Sequence, residues 1–387
     1  WQLLALLVPP TLAFVYAISS ALFLPNFREC PWGTHLHTIV PRLTSLVVLI
    51  AVAASLKSDQ IFYFALLLTF SVALSIYQVI TTRINVVEGG PPPKLTDMTG
   101  KVVLITGANT GIGKATAQQL AGKGATVIMA CRSSKRAEVA KQEIIESLSG
   151  SRPKLEVLTM DLSSLASVKE AASSLQERKV VVDVLILNAG VMMGSQSITT
   201  DGYDLVMQAN HLGHYLLTRL LLESKNLNAE TGRVLTLTSS TYSYADSIDL
   251  DDLFCTKTRS YTLFGQYAMS KLANILFTKE LDKRYPKLFT AAVHPGLVRT
   301  DVVRNMPWYL YYPNIAFSFI MCTLQKTPAQ GAWCTAFLAA TPSSGLVSGN
   351  YWVNRAVQEL WPCADHGAEQ LWVDSAQYVG LAPALSK

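Results

Sequence analysis

The chain has 387 residues, half of them hydrophobic and only 15% charged, against roughly 25% charged in soluble domains, which excludes a wholly water-exposed globule. Its net charge of +5 is spread thinly, with no Lys/Arg block and no aromatic-basic interleaving, so a nucleic-acid partner is excluded too. The cysteines (Cys30, Cys131, Cys255, Cys322, Cys334, Cys363) stand without CxxC pairs or a His at ligand spacing, so neither a metal site nor a disulfide framework is expected.

The first 87 residues read as a membrane anchor. Leu3–Leu24 is an uncharged apolar run of 22 residues, long enough to cross a bilayer of about 30 Å hydrocarbon thickness. Leu43–Leu56 has 14 residues and Ile61–Ile80 has 20, broken at Lys57-Ser58-Asp59-Gln60. One to three transmembrane helices are predicted, and Arg83, Lys94 and Lys101 on the C-terminal side place the rest of the chain in the cytoplasm by the positive-inside rule.

Residues 88–99, with Glu88-Gly89-Gly90-Pro91-Pro92-Pro93, read as a linker, because neither helix nor strand tolerates that density of Gly and Pro. Residues 100–387 form the second domain. Apolar runs at Val102–Thr106, Thr126–Ala130, Leu155–Met160, Val184–Leu187, Val234–Thr238 and Thr290–Val293 alternate with helical patterns. Their hydrophobicity is continuous rather than alternating, which means strands covered on both faces. The prediction is an α/β fold, a Rossmann-type doubly wound parallel sheet, preceded by N-terminal transmembrane helices.

The first strand runs into Thr106-Gly107-Ala108-Asn109-Thr110-Gly111-Ile112-Gly113, followed by a helical pattern over Lys114–Gly122. Glycines here allow a tight turn and let the backbone approach a pyrophosphate at the helix N-terminus, where free N–H groups and the dipole favour negative charge. The residues closing the second strand decide which dinucleotide is held. A carboxylate would bind the ribose 2′-hydroxyl and an Arg a 2′-phosphate. Cys131 and Arg132 stand there, with Lys114 beside the turn and no acid, which favours NADP(H); a merely solvated Arg132 would leave NAD(H). Tyr267 and Lys271 are four apart on a predicted helix and so share a face, where an ammonium would stabilise a phenolate.

The GxxxGxG spacing resembles the short-chain dehydrogenase/reductase family, and further elements appear in that family's order. They are Asp161-Leu162, Asn188-Ala189-Gly190, Asn210 in Asn-His-Leu-Gly-His, Ser239-Ser240, Tyr267-xxx-Lys271 and Pro295-Gly296. The resemblance implies a catalytic set of Asn210, Ser240, Tyr267 and Lys271, with Ser240 polarising the substrate oxygen and Asn210 holding a water for proton exchange through Lys271. It implies cofactor contacts from Gly107, Asn109, Thr110, Gly111, Ile112, Gly113, Arg132, Asp161, Leu162, Asn188, Ala189, Gly190, Tyr267, Lys271, Pro295, Gly296 and Thr300. Ser239 is expected to point into the strand end, and His211 and His214 to pack the helix.

Asn188–Met193, the long stretch between Ser240 and Tyr267, Ser270–Phe277 and Lys326-Thr327-Pro328-xx-Gly331-Ala332 resemble the retinol dehydrogenase branch, which includes the WW-domain oxidoreductase. This chain has no WW domain. The apolar segment Met306–Tyr312, continuing through Ile315–Leu324, is expected to cover a lipophilic substrate or rest on the membrane. The expected activity is NADP(H)-dependent interconversion of a lipophilic alcohol with its aldehyde or ketone: retinoid-like, steroid, polyprenoid or fatty. Its partners are that substrate and membrane lipid, with a homodimer left open, and the branch implies the endoplasmic reticulum. The competing expectation is a membrane-anchored dinucleotide-binding scaffold or redox sensor with little turnover.

Overall fold

The computed structural model describes residues 89–148, 152–257, 259–299 and 325–382. The chain divides into two units, Trp1–Val86 and Val87–Lys387, and the described residues all belong to the second. The predicted membrane spans, the apolar segment over 306–324 and Thr300 lie outside them. Among the described residues no helix is long and apolar enough to cross a membrane.

Six apolar runs become strands: β1 (Val102–Thr106), β2 (Thr126–Cys131), β3 (Lys154–Thr159), β4 (Val184–Leu187), β5 (Arg233–Leu237) and β6 (Phe289–His294). Two more, β7 (Asn350–Val353) and β8 (Ala356–Val357), were not anticipated. The sheet order is β3-β2-β1-β4-β5-β6-β7-β8. Every pairing is parallel except β7 with β8. Chain order reverses between β1 and β4, where Ile105 pairs with Met129 on one side and Ile186 on the other. In such sheets ligands bind in the crevice beyond the strand ends at this reversal.

Both faces of the sheet are buried. Val103, Ile105, Val127 and Met129 point to one side, under α1 (Gly111–Ala121), α2 (Ser134–Ser147) and α6 (Pro328–Ala340). Leu104, Ile128 and Leu185 point to the other, under α3 (Leu165–Glu177), α4 (Gly213–Glu223), α5 (Leu263–Arg284) and α7 (Ala368–Tyr378). This two-sided burial is why the strands carry unbroken apolar sequence. On the second face Trp372 of α7 packs edge-on to Tyr215 at 4.9 Å and parallel to Phe277 at 5.8 Å. The guanidinium groups of Arg219 and Arg284 lie over its ring at 5.5 and 5.0 Å, within range of cation–π attraction.

Candidate active site

Beyond β1 the chain turns on Gly107 and Gly111, with φ of +66° and +55°, a backbone state that favours glycine. Gly113 is required for a different reason. A Cβ on it would lie 2.4 Å from both the Gly107 carbonyl oxygen and the Asn188 amide nitrogen. Helix α1 therefore starts close against the turn, and its first turn carries no acidic residue, which leaves an anion-favouring end. The Asn188 amide donates to the Thr106 carbonyl at 2.8 Å and to that of Gly107 at 3.3 Å. The backbone N–H groups of Ala108 and Asn109 hydrogen-bond Cys131, whose buried thiol is pushed up to about 11.

Thr106 locks β1 to the strand across the reversal. Its hydroxyl accepts from the backbone N–H of Asn188 and of Ala189, both at 2.9 Å, and its own proton points to His214 Nε2 at 2.9 Å. His214 Nδ1 lies 3.0 Å from the Asn210 carbonyl. A carbonyl can only accept, so Nδ1 carries the imidazole proton and Nε2 is the acceptor. Burial holds this ring down to about 3, so it stays neutral. His211, bonded to Ser375 Oγ at 2.9 Å, is likewise buried and held down to about 3. Both histidines pack and wire the helix, as expected.

The other described residues predicted to contact a cofactor follow the C-terminal ends of β2, β3 and β6 or open α1. Arg132 stands exposed at the end of β2. Lys114, read as part of the same basic pair, is instead joined to Glu143 of α2. Asp161 accepts from the Ser163 backbone and hydroxyl at 2.9 and 2.6 Å. Leu162 is buried against Gly213, where a Cβ would lie 2.7 Å from the Leu162 carbonyl. Thr110 and Ile112 open α1. Gly296 follows Pro295 with φ +87°.

The second group lies across the crevice. Asn210 sits in a π-helical turn, Gln208–Leu212, that leads into α4. Its side chain accepts from the Val191 N–H at 2.8 Å and donates to the Val191 carbonyl at 2.9 Å and to Ser270 Oγ at 3.0 Å. The Lys271 ammonium, 3% exposed, donates to the Leu237 carbonyl at 3.2 Å. A Cβ on Gly190 would stand 3.3 Å from it, so that glycine opens the space the ammonium occupies. Burial lowers Lys271 to about 8. Tyr267 is half-buried, and burial pushes its phenol up to about 12, opposed by a hydrogen bond from Ser239.

That bond turns Ser239 towards Tyr267 rather than into the strand end, with Ser240 beside it at the head of the next turn. Strand β5 stops at Leu237. Ser239, still extended with φ −152° and ψ 148°, caps the 3-10 turn Ser240–Tyr244. Inside that turn Ser240 is engaged through its backbone, its N–H donating to His294 Nδ1 at 3.3 Å and its carbonyl accepting from Ser243. Thr106, Gly190 as a space-maker and His294 were also missed. Only Thr106, directly before the glycine turn, stood where sequence could have flagged it.

A parallel sheet with a glycine turn at its reversal, beside a half-buried Tyr and a buried Lys one helical turn apart, defines a dinucleotide-binding oxidoreductase. The pattern of the short chain dehydrogenase family matches residues 101–247. Retinol dehydrogenase 14 of Mus musculus is 38% identical over 309 residues, 76% of this chain and 90% of that protein. Retinol dehydrogenase 13 of Homo sapiens is 38% identical over 306 residues, 77% and 91% of the respective chains. The crystal structure of an uncharacterised protein from Mycobacterium paratuberculosis superposes with a TM-score of 0.60 at 31% identity, covering 76% of this chain and 98% of that one. The chain belongs to the short-chain dehydrogenase/reductase family, and its relatives include the retinol dehydrogenases.

Proposed function

We propose that the protein is an NADP(H)-dependent, membrane-anchored reductase that interconverts a lipophilic alcohol with its aldehyde or ketone. The carrying observation is that the buried Lys271 ammonium lies 5.4 Å from the centre of the Tyr267 ring, one turn away on the same helix. A bound nicotinamide dinucleotide supplies the hydride chemistry. The tight turn at Gly107 and the start of α1 suit its pyrophosphate, with the Asn188 amide holding that turn through the Thr106 and Gly107 carbonyls. Asp161 and Leu162 would flank the adenine, and Arg132, with no acid beside it, suits a 2′-phosphate.

In this reading Tyr267 gives a proton to the substrate oxygen or takes it back. Ser239 polarises that oxygen, in place of its neighbour Ser240. Lys271 favours the phenolate, and the Asn210 amide ties the β4 loop to α5 so that the four groups keep their spacing. A lipophilic substrate is supported by the names of the relatives and by exposed aromatic rings on the two elements that carry Ser240 and Tyr267, Tyr244 at 55% and Phe264 at 43%. The anchor rests on the apolar runs before residue 87, and the endoplasmic reticulum with a cytoplasmic catalytic unit is the location proposed.

The test is cofactor consumption by detergent-solubilised protein given all-trans-retinal, a steroid ketone or a long-chain polyprenal. NADPH turnover that disappears in Tyr267→Phe is expected, with Arg132→Ala raising the KM for NADPH about 10-fold or more and leaving that for NADH unchanged. Tight cofactor binding with no turnover of any carbonyl would favour the scaffold instead.

A further inference from the structure

The segment entering the catalytic unit lies on the protein as a bound strap. Gly89 and Gly90 have φ of +73° and +88°. The Arg355 guanidinium, in the turn between β7 and β8, donates to the Pro91 carbonyl at 2.8 Å and to the Gly89 carbonyl. A Cβ on residue 89 would lie 2.6 Å from the Asn354 side chain, so glycine is what lets the strap approach so closely. Further on, Leu95 packs against the core and the Thr96 hydroxyl donates to the Ala340 carbonyl.

The turn that receives the strap is itself unusual. Asn354 and Arg355 both take left-handed backbone, φ +52° and +68°, as a two-residue hairpin turn demands. Asn tolerates this state, but Arg rarely adopts it. Non-glycine residues held there persist where the surroundings enforce them, often close to function. Here the side chains explain the choice. Arg355 grips the strap, while Asn354 Oδ1 accepts from the Lys326 ammonium at 2.6 Å.

Lys326 leads from this turn to the active-site crevice. It is 4% exposed. Its backbone accepts from Arg299 at 3.1 Å and donates to Leu297 at 2.7 Å. Its side chain fills the space beside Gly296, where a Cβ would lie 2.9 Å from Lys326 Cε. His294, one residue before Pro295, holds the N–H of Ser240 next to Ser239. The contacts run without a gap from Gly89 through Arg355, Asn354 and Lys326 to the Pro295-Gly296 turn.

We propose that Arg355 and Asn354 are positioning residues that couple the Gly89–Pro91 strap to the Pro295-Gly296 turn, so that a seated strap and a bound dinucleotide favour one another. This rests on the dinucleotide reading of the crevice. Coupling between two sites is reciprocal: whatever the cofactor does for the strap, the strap does for the cofactor by the same factor. The anchor's linker thereby becomes a working part of the cofactor site.

The test uses the full chain in detergent, a glutamate-specific protease cutting after Glu88, and NADPH affinity measured by fluorescence. Arg355→Gly and Asn354→Gly suit the left-handed backbone, which offsets part of the lost hydrogen bonds, so both variants should stay folded at the assay temperature. Saturating NADPH is expected to slow cleavage of the parent strap about fivefold or more, the lower range of allosteric couplings. Arg355→Gly should speed cleavage and weaken NADPH binding by no more than the factor by which NADPH protects the parent strap, while Asn354→Gly should still bind NADPH but lose the protection. Equal cleavage with and without bound NADPH in the parent protein would overturn the coupling and leave the cofactor reading intact. Failure to bind either NADPH or NADH would overturn both.

Discussion

The Lys271 ammonium lies 5.4 Å from the centre of the Tyr267 ring. Burial holds the lysine down to about 8 and pushes the phenol up to about 12, so at neutral pH the pair is ammonium plus phenol. That state can give a proton to a carbonyl oxygen. Carbonyl reduction is therefore expected to run level through neutral pH and fall as pH passes about 8, where the ammonium is lost, while alcohol oxidation rises with pH. Tyr267→Phe should cost about 10²–10⁴ in kcat. A pH–rate profile in both directions checks this; reduction that stays level up to pH 10 would refute it.

Lys271→Met should make the protein inactive but more heat-stable. The folded-state value of about 8 lies below the ordinary 10.5, so between those pH values the unfolded chain holds a proton that the folded chain has released. Stability therefore rises with pH across that window, and below pH 8 the buried ammonium is a net cost. Methionine removes it. The melting-temperature advantage of the variant should be largest at pH 7 and shrink as pH climbs from 8 towards 10.5; a variant that melts lower at pH 7 would contradict the argument.

The two adjacent serines should separate cleanly. Ser239→Ala removes the hydroxyl beside Tyr267, and one hydrogen bond to the charge that develops on the substrate oxygen is worth about 1.5–3 kcal/mol, or about 10- to 150-fold in kcat. Ser240 works here through its backbone, which Ser240→Ala preserves, so its kcat should stay within about threefold of the parent. Single-turnover kinetics on both variants decide the matter, and the reverse order would return the role to Ser240.

Gly113→Ala should destabilise the protein, although alanine in a helix ordinarily gains about 1 kcal/mol over glycine. The added methyl would meet the Gly107 carbonyl oxygen at 2.4 Å, a backbone atom that cannot swing aside. Overpacking of this kind costs about 1–3 kcal/mol, and moving the turn should also weaken NADPH binding. Thermal melts with and without NADPH would show both losses; an unchanged or raised melting temperature would mean the turn is looser than the structure has it.

Acid should unfold the protein early. His211, His214 and His294 are each held down to about 3 by burial, so below their ordinary value of 6.5 the unfolded chain takes up protons that the folded chain refuses. Stability is full above pH 6.5 and is lost as pH falls towards 3. For three such groups the slope is on the order of 4 kcal/mol per pH unit. Chemical denaturation at pH 7, 6 and 5 measures it, and a flat response down to pH 5 would mean that these rings titrate while folded.

The fold was legible because burial on two faces writes itself into sequence as unbroken apolar runs. Strands β1 and β4 match their predicted limits residue for residue. Strand β7 escaped because Asn350–Val353 is four residues long and gains its extended form from pairing with β6, a long-range contact no local pattern encodes. Strand β5 is offset for a related reason: the apolar run spans Val234–Thr238, whereas pairing with β4 and β6 sets the strand at Arg233–Leu237. The π-helical turn at Asn210 and the grip of Arg355 on the strap depend on partners far along the chain and leave no local trace.

Helix α7 packs Trp372 between Arg219 and Arg284, against Tyr215 and Phe277. During synthesis every strand of the sheet emerges before that tryptophan does. The nascent chain must therefore carry an aromatic wall on α4 and α5 open to water until its final helix arrives, which is the kind of surface that invites aggregation or a chaperone. A stop codon before Ala368 would leave that wall permanently bare, so a shortened product would present itself for degradation even with every residue of the proposed active site in place.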